Sequence, residues 1–172
     1  MALTLLLGGA RSGKSALAVR LASTSGRPVV VVATAEARDE EMAERIRRHR
    51  EERPVDWSTI EEPLDLHEAI GGLHDDAFVI LDCLSLWVAN LFEAGWTDEA
   101  VEAEGAAAAT LAAARQGQTY AVSNEVGMGV VPATPLGRRY RDVLGRVNAS
   151  WAAAADRAVL VVAGRVVELD RA

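Results

Sequence analysis

The segment Gly8–Ser15, GGARSGKS, follows the apolar run Leu3–Leu7 without a break. Few local patterns constrain a chain so strongly. Gly8 and Gly13 let the backbone curl tightly enough for its amide N–H groups to point at phosphate oxygens, and the helix expected from Ser15 to Ala22 begins where those amides converge. At this spacing Lys14 reaches the β and γ phosphates of a nucleotide, and the Ser15 hydroxyl can ligate Mg²⁺. A strand, a phosphate-binding loop and a helix are therefore expected at the start of the chain, with a nucleoside triphosphate as ligand.

The rest of the chain alternates apolar runs with helical patterns. Strands are expected at Leu3–Leu7, Pro28–Ala33, Ala77–Asp82, Thr119–Ser123 and Ala158–Ala163, with Arg165–Leu169 returning after Gly164 as a hairpin partner. The runs VVVV and FVIL show no polar alternation, which calls for helices on both faces of their strands. Helices are expected at Lys14–Ser23, Arg38–Arg53, Leu84–Glu93, Asp98–Arg115 and Leu136–Ala155. In the last of these, Leu136, Tyr140, Val143, Leu144, Val147 and Trp151 recur at helical spacing and read as core. Ala103–Ala114, nearly all alanine, reads as a plain covering helix. The implied fold class is α/β: one three-layer P-loop NTPase domain of RecA-like type over residues 1–172, with a mostly parallel central sheet and a C-terminal hairpin. No repeat or long linker divides it.

Composition narrows the function classes. Half of the 172 residues are hydrophobic, enough for a sizeable core, and the formal net charge of -7 argues against nucleic acid as a partner. Cys83 is the only cysteine, so no internal disulfide forms, which suits a reducing compartment. No segment approaches the ~20 apolar residues of a membrane span. A cytoplasmic protein is expected.

Two further sites carry chemistry. Asp82 ends the run Phe78–Leu81, and a carboxylate at the carboxyl end of a buried strand beside a phosphate loop is placed to hold Mg²⁺. The second is the helix Arg38–Arg53, RDEEMAERIRRHREER, closed by Pro54. Met42, Ile46 and His49 share one stripe, so His49 faces inward with Arg47, Arg48 and Arg50 around it. The bland reading competes: Glu41 with Arg45 and Glu44 with Arg48 make i,i+4 pairs worth only ~0.2–0.5 kcal/mol each, and a histidine beside such a stripe is ordinarily just packed.

Taken together, GGARSGKS, VATAEARDEEMAERIRRHREERPVDW, VILDCLSLWVANLF and SNEVGMGVVPATPLGRRYRDVLGRVNASWAAAADRAVLVVAGRVVEL resemble the bifunctional adenosylcobinamide kinase / adenosylcobinamide-phosphate guanylyltransferase family of cobalamin biosynthesis. Only about Ala94–Gln118 lies outside the resemblance. It implies that His49 takes GMP from GTP as a covalent intermediate and that Lys14 serves phosphoryl transfer. It also implies nucleotide contacts from Gly8, Gly9, Ala10, Arg11, Ser12, Gly13, Lys14 and Ser15, from Ala33, Thr34 and Ala35, from Arg50, Glu51, Glu52 and Arg53, and from Glu61 and Asp82, with Mg²⁺ on Ser15 and Asp82. Some relatives carry two adjacent histidines at the helix site; here Arg48 stands beside His49. A homotrimer is implied as well, for which Trp87, Phe92 and Trp96 offer apolar area.

The implied substrates are GTP, ATP and a corrinoid. ATP or GTP phosphorylates the aminopropanol hydroxyl of adenosylcobinamide, a reaction of positioning and charge neutralisation. GMP then passes from GTP through His49 to the phosphorylated product, for which a neutral imidazole is suited. The loop Ser123–Gly129 follows a strand and borders the same crevice, with Glu125 as a polar contact or the loop as a mere glycine-rich connection. His67 and His74 read as surface or structural, and Cys83 as a small buried residue. Two other readings remain: a P-loop kinase of another small metabolite, in which His49 has no role, and a nucleotide-binding regulatory protein without transfer chemistry.

Overall fold

A computed structural model describes residues 2–171. Strands β1 (Leu3–Leu7), β2 (Val29–Ala33), β3 (Ser58–Glu61), β4 (Phe78–Asp82), β5 (Thr119–Val122), β6 (Arg157–Val162) and β7 (Arg165–Leu169) form one sheet in the order β3-β2-β4-β5-β1-β6-β7. Every neighbouring pair is parallel except β6 and β7, which form the C-terminal antiparallel hairpin. Helices α1 (Lys14–Ser23), α2 (Glu40–Glu51), α3 (Leu66–Gly71), α4 (Leu84–Glu93), α5 (Asp98–Ala114) and α6 (Pro135–Ala154) connect them.

The uninterrupted apolar runs became central strands because each side chain there has cover. β1 sends Leu3, Leu5 and Leu7 into a large core with Trp87, Leu91, Val143, Leu144, Val147 and Trp151, contributed by α4 and α6. Its Leu6 faces the opposite side, where Leu17, Ala18 and Ala22 of α1 cover Val31, Ile80 and Val159. The layers are therefore unequal, with α1 on one face and α3 to α6 on the other. Helix α2 contributes no buried residue. Its start is set locally by Asp39, whose carboxylate accepts from the Met42 N–H at 2.7 Å, and by acidic residues in its first turn.

Several expectations need correction. β3 and α3 carry no sequence signal of the kind used above: STIE is an exposed edge strand held by pairing with β2, and α3 is a six-residue helix anchored by Leu66 and Ile70. Leu136 is 62% exposed rather than core, since it lies in the first turn of α6 before that helix reaches the sheet. Tyr140 is half-buried, with its hydroxyl donating to the Ser85 carbonyl at 2.9 Å. The alanine-rich α5 is not a loose cover. Its Gly105, Ala108, Ala109 and Ala112 are buried, and a Cβ at Gly105 would stand only 3.2 and 3.3 Å from the Val147 methyls, so small residues set the α5–α6 spacing. Trp87 is fully buried, its indole N–H donating to the Leu64 carbonyl at 2.7 Å, and offers nothing to an interface.

Candidate active site

Parallel pairing brings the carboxyl ends of β1, β2 and β4 to one edge of the sheet, with β5 between the strand that carries Gly8–Ser15 and the strand that carries Asp82. The loop is tightly built. Gly13 is the left-handed N-cap of α1 (φ 102°), where an L side chain would be strained. At Gly8 an added Cβ would lie 2.3 Å from the Val161 carbonyl oxygen, so only glycine lets the loop pass β6. The Gly164 N–H, in the β6–β7 turn, donates to the Ser12 carbonyl at 2.8 Å, and the Glu125 N–H donates to the Gly8 carbonyl at 3.0 Å. The loop is thus buttressed from two later segments of the chain.

Lys14 is buried, and its ammonium donates to the carbonyls of Gly8 at 2.9 Å and Gly9 at 2.7 Å. Burial holds its pKa below the ordinary lysine value, while Cys83 and Asp82 pull the other way. Ser15 Oγ donates to Asp82 Oδ1 at 3.4 Å. The other carboxylate oxygen, Oδ2, lies 3.8 Å from His49 Nδ1 and 3.8 Å from Arg53 Nη2. Asp82 is therefore the meeting point of the phosphate loop and the arginine-rich helix, two segments far apart in sequence. Arg53 is largely sequestered, and burial lowers its pKa against the opposing pull of Asp82.

The remaining residues of the expected nucleotide set divide. Arg50 ion-pairs with Glu61 across the gap from the end of α2 to β3. These two, with Glu51, Arg53, Trp57 and Thr59, line an open depression of about 620 Å³. Trp57 and Thr59 belong to the segment whose strand has no apolar signature. Glu51 pairs with Arg47, and Glu52 caps α2. Thr34 is fully buried; its hydroxyl donates to the Cys83 carbonyl at 2.7 Å and accepts from the Cys83 N–H at 2.9 Å, joining the end of β2 to the end of β4. The Ala33 carbonyl accepts from the Glu62 N–H at 3.0 Å. Of the helical pairs, Glu44–Arg48 is present, while Glu41–Arg45 is not among the ion pairs of the described residues. Arg48 turns to Glu44 and Arg47 to Glu44 and Glu51, which takes both away from His49.

Glu125 folds onto its own loop, with its carboxylate accepting from the Gly127 N–H. The turn Ala163–Gly164 is expected from the sequence only as a hairpin connection; that it holds the phosphate loop at Ser12 is not legible there, because nothing local ties it to residues so distant. Among the described residues no cluster of three His, Cys, Asp or Glu gathers to chelate a metal. The Ser15 hydroxyl and Asp82 carboxylate suit Mg²⁺ instead, which keeps several waters and takes one or two protein oxygens plus phosphate.

The family model described as cobinamide kinase / cobinamide phosphate guanyltransferase matches residues 4–169. The chain is 44% identical to the bifunctional adenosylcobalamin biosynthesis protein CobP of Pseudomonas aeruginosa, over 93% of this chain and 92% of that one. It is 42% identical to the bifunctional adenosylcobalamin biosynthesis protein CobU of Escherichia coli, over 93% and 95%. Two solved structures share the fold. One is a protein of Pyrococcus horikoshii OT3, at TM-score 0.56 and 10% identity over 97% of this chain and 85% of that one. The other is an ATPase of a bacterial type III secretion system, at TM-score 0.52 and 11% identity over 92% of this chain and 51% of that one. No helix among the described residues is long and apolar enough to cross a membrane. The sheet order, the phosphate loop packed against β6 and the family match over nearly the whole chain agree: this P-loop NTPase-fold protein belongs to the cobinamide kinase / cobinamide phosphate guanyltransferase family.

Proposed function

We propose that the chain performs both transfers, phosphorylating the aminopropanol hydroxyl of adenosylcobinamide with ATP or GTP and then moving GMP from GTP to the product through His49. The observation that carries this reading is the convergence of Ser15, His49 and Arg53 on the single carboxylate of Asp82. An ordinary kinase has no use for a histidine there.

In the first transfer the loop amides and Lys14 hold the triphosphate, and Lys14 exchanges its two carbonyl contacts for phosphate oxygens. Bound Mg²⁺, held by Ser15 and Asp82, would neutralise charge on the phosphates. The substrate hydroxyl attacks the γ phosphorus, the terminal bridging P–O bond breaks with its electron pair on the departing nucleoside diphosphate, and the hydroxyl proton passes to solvent. In the second transfer, His49 Nδ1 faces Asp82, which leaves Nε2 to attack the α phosphorus of GTP. The bond to the β phosphate breaks with its electron pair on pyrophosphate, and Asp82 can take the Nδ1 proton. The phosphate of the phosphorylated cobinamide then attacks the same phosphorus; the P–N bond breaks, its electron pair returns to Nε2, and Asp82 gives the proton back to Nδ1, restoring neutral His49.

Arg50, Arg53 and Glu61 around the depression serve the transferred nucleotide. The protein works in the cytoplasm as a homotrimer, with half-exposed Trp96 and its neighbour Phe92 nearer the surface than Trp87; a monomer mass by light scattering at micromolar concentration would remove the trimer.

The test is incubation with α-labelled GTP followed by denaturation. Parental protein should retain an acid-labile, base-stable label. His49→Ala should retain none while phosphorylation of cobinamide survives at least in part. Label surviving in His49→Ala refutes the nucleophile, and loss of both activities reduces His49 to a structural part of a shared site.

A further inference from the structure

Helix α2 carries four arginines, and carboxylates take up three of them: Arg47 with Glu44 and Glu51, Arg48 with Glu44, and Arg50 with Glu61. Among the described residues Arg45 has no carboxylate in ion-pair range. Its position is distinctive. Residues 45 and 49 are i,i+4 neighbours on α2, and Arg53 follows just past its C-cap Glu52, so Arg45 stands a turn before His49 on the side from which His49 reaches Asp82. Asp82 answers His49 and Arg53 but not Arg45.

We infer that Arg45 contacts the nucleotide's phosphate chain, as the cation that receives negative charge displaced from the α phosphorus when His49 attacks. The inference rests on the two-transfer reading above. A second observation points the same way. Asp82 meets His49 at 3.8 Å through one carboxylate oxygen and Ser15 of the phosphate loop at 3.4 Å through the other, so the side of α2 that carries His49 and Arg45 is turned toward that loop. An exposed, unpaired guanidinium there meets no anion in the protein itself. A triphosphate running from the loop toward His49 supplies one, and the planar fork of arginine suits its oxygens. In the reaction the P–O bond to the β phosphate breaks, the electron pair leaves with pyrophosphate, and Arg45 stabilises that leaving charge without giving up a proton.

Arg45→Gln and Arg45→Lys test this with three readouts on the intact protein. Because Arg45 has no protein partner, the thermal midpoint should not move. At saturating GTP, formation of labelled protein should slow by roughly 10²-fold in Arg45→Gln, the scale of losing one preorganised charge-stabilising donor, with part of the rate restored by lysine. Reversal of the labelled intermediate by pyrophosphate should need about tenfold more pyrophosphate, a change that a structural role would not produce. Labelling and pyrophosphate dependence within twofold of parental overturn the inference. If the parental protein takes no label, the two-transfer reading fails instead. Arg45 is then judged by equilibrium titration: GTP weakened about tenfold with GMP nearly unchanged upholds the phosphate contact, and equal affinities for both variants and the parent remove it.

Discussion

Asp82→Asn should separate two roles of one carboxylate. Asparagine keeps the shape and can still accept from Ser15, but it removes the negative charge 3.8 Å from Arg53 and His49. Unit charges at that separation interact by about 4 kcal/mol at an effective dielectric constant of 20. Arg53 and Asp82 are each only slightly exposed, at 10% and 13%, so solvent screening removes part of this rather than most of it. Losing one partner of a fully buried pair costs about 3–5 kcal/mol, and the open side of the crevice lowers that to about 2 kcal/mol. For a chain of this size the melting temperature should fall by roughly 4–8 °C. Nucleotide binding should move the other way. In EDTA the triphosphate meets Lys14 and Arg53 without a competing carboxylate, so calorimetric titration should show binding tightened by about tenfold, equivalent to ~1.4 kcal/mol. With Mg²⁺ present, phosphorylation should drop by roughly 10²-fold and require more metal. Unchanged melting together with unchanged metal-free affinity would show that Asp82 does not balance this charge cluster.

Gly105→Ala sets a gain in helix propensity of ~1 kcal/mol against a Cβ pressed on the Val147 methyls and 3.7 Å from Trp87. Because Val147 is itself fully buried, urea unfolding should show a net loss of about 1 kcal/mol that disappears in a Val147→Ala background; simple additivity of the two substitutions would refute the contact. Cys83, expected to be buried but only partly so in the fold, offers a pH prediction: desolvation, then the charge of Asp82, pushes its thiol above the ordinary value of 9.0. The folded chain thus holds the thiol proton more tightly than the unfolded one, so stability is complete below pH 9 and declines as pH rises beyond it. Cys83→Ala should flatten that decline, and alkylation of native protein at pH 8 should be slow until denaturant is added; fast native alkylation contradicts the desolvation.

The sequence reveals most about segments whose physics is local. Val29–Ala33 and Phe78–Asp82 announce themselves because strands covered on both faces need apolar side chains at every position. Gly8–Ser15 does so because phosphate binding fixes residue types at fixed offsets. Ser58–Glu61 does not, since backbone pairing on an exposed edge makes no demand on its side chains. The stripe Met42, Ile46, His49 gives the inward side of α2, but that His49 meets Asp82 depends on how a helix with no buried residue is laid across the sheet edge. Likewise, Thr34 looks like one more residue of a loop. Only the finished fold gives its hydroxyl to Cys83 and seals it from solvent.

The middle of the sheet also imposes an order on biosynthesis. β1 lies between β5 and β6, and the loop that follows it is fixed by Glu125 and by the Gly164 turn. During translation the phosphate-binding segment therefore emerges long before any strand that flanks it. For most of that interval a glycine-rich loop and the apolar run Leu3–Leu7 have no neighbours of their own, and β2 with β4 can pair first. A nascent chain should gain affinity for nucleotide only when its last hairpin clears the ribosome, so premature termination anywhere before Gly164 yields a product that cannot assemble its nucleotide cradle.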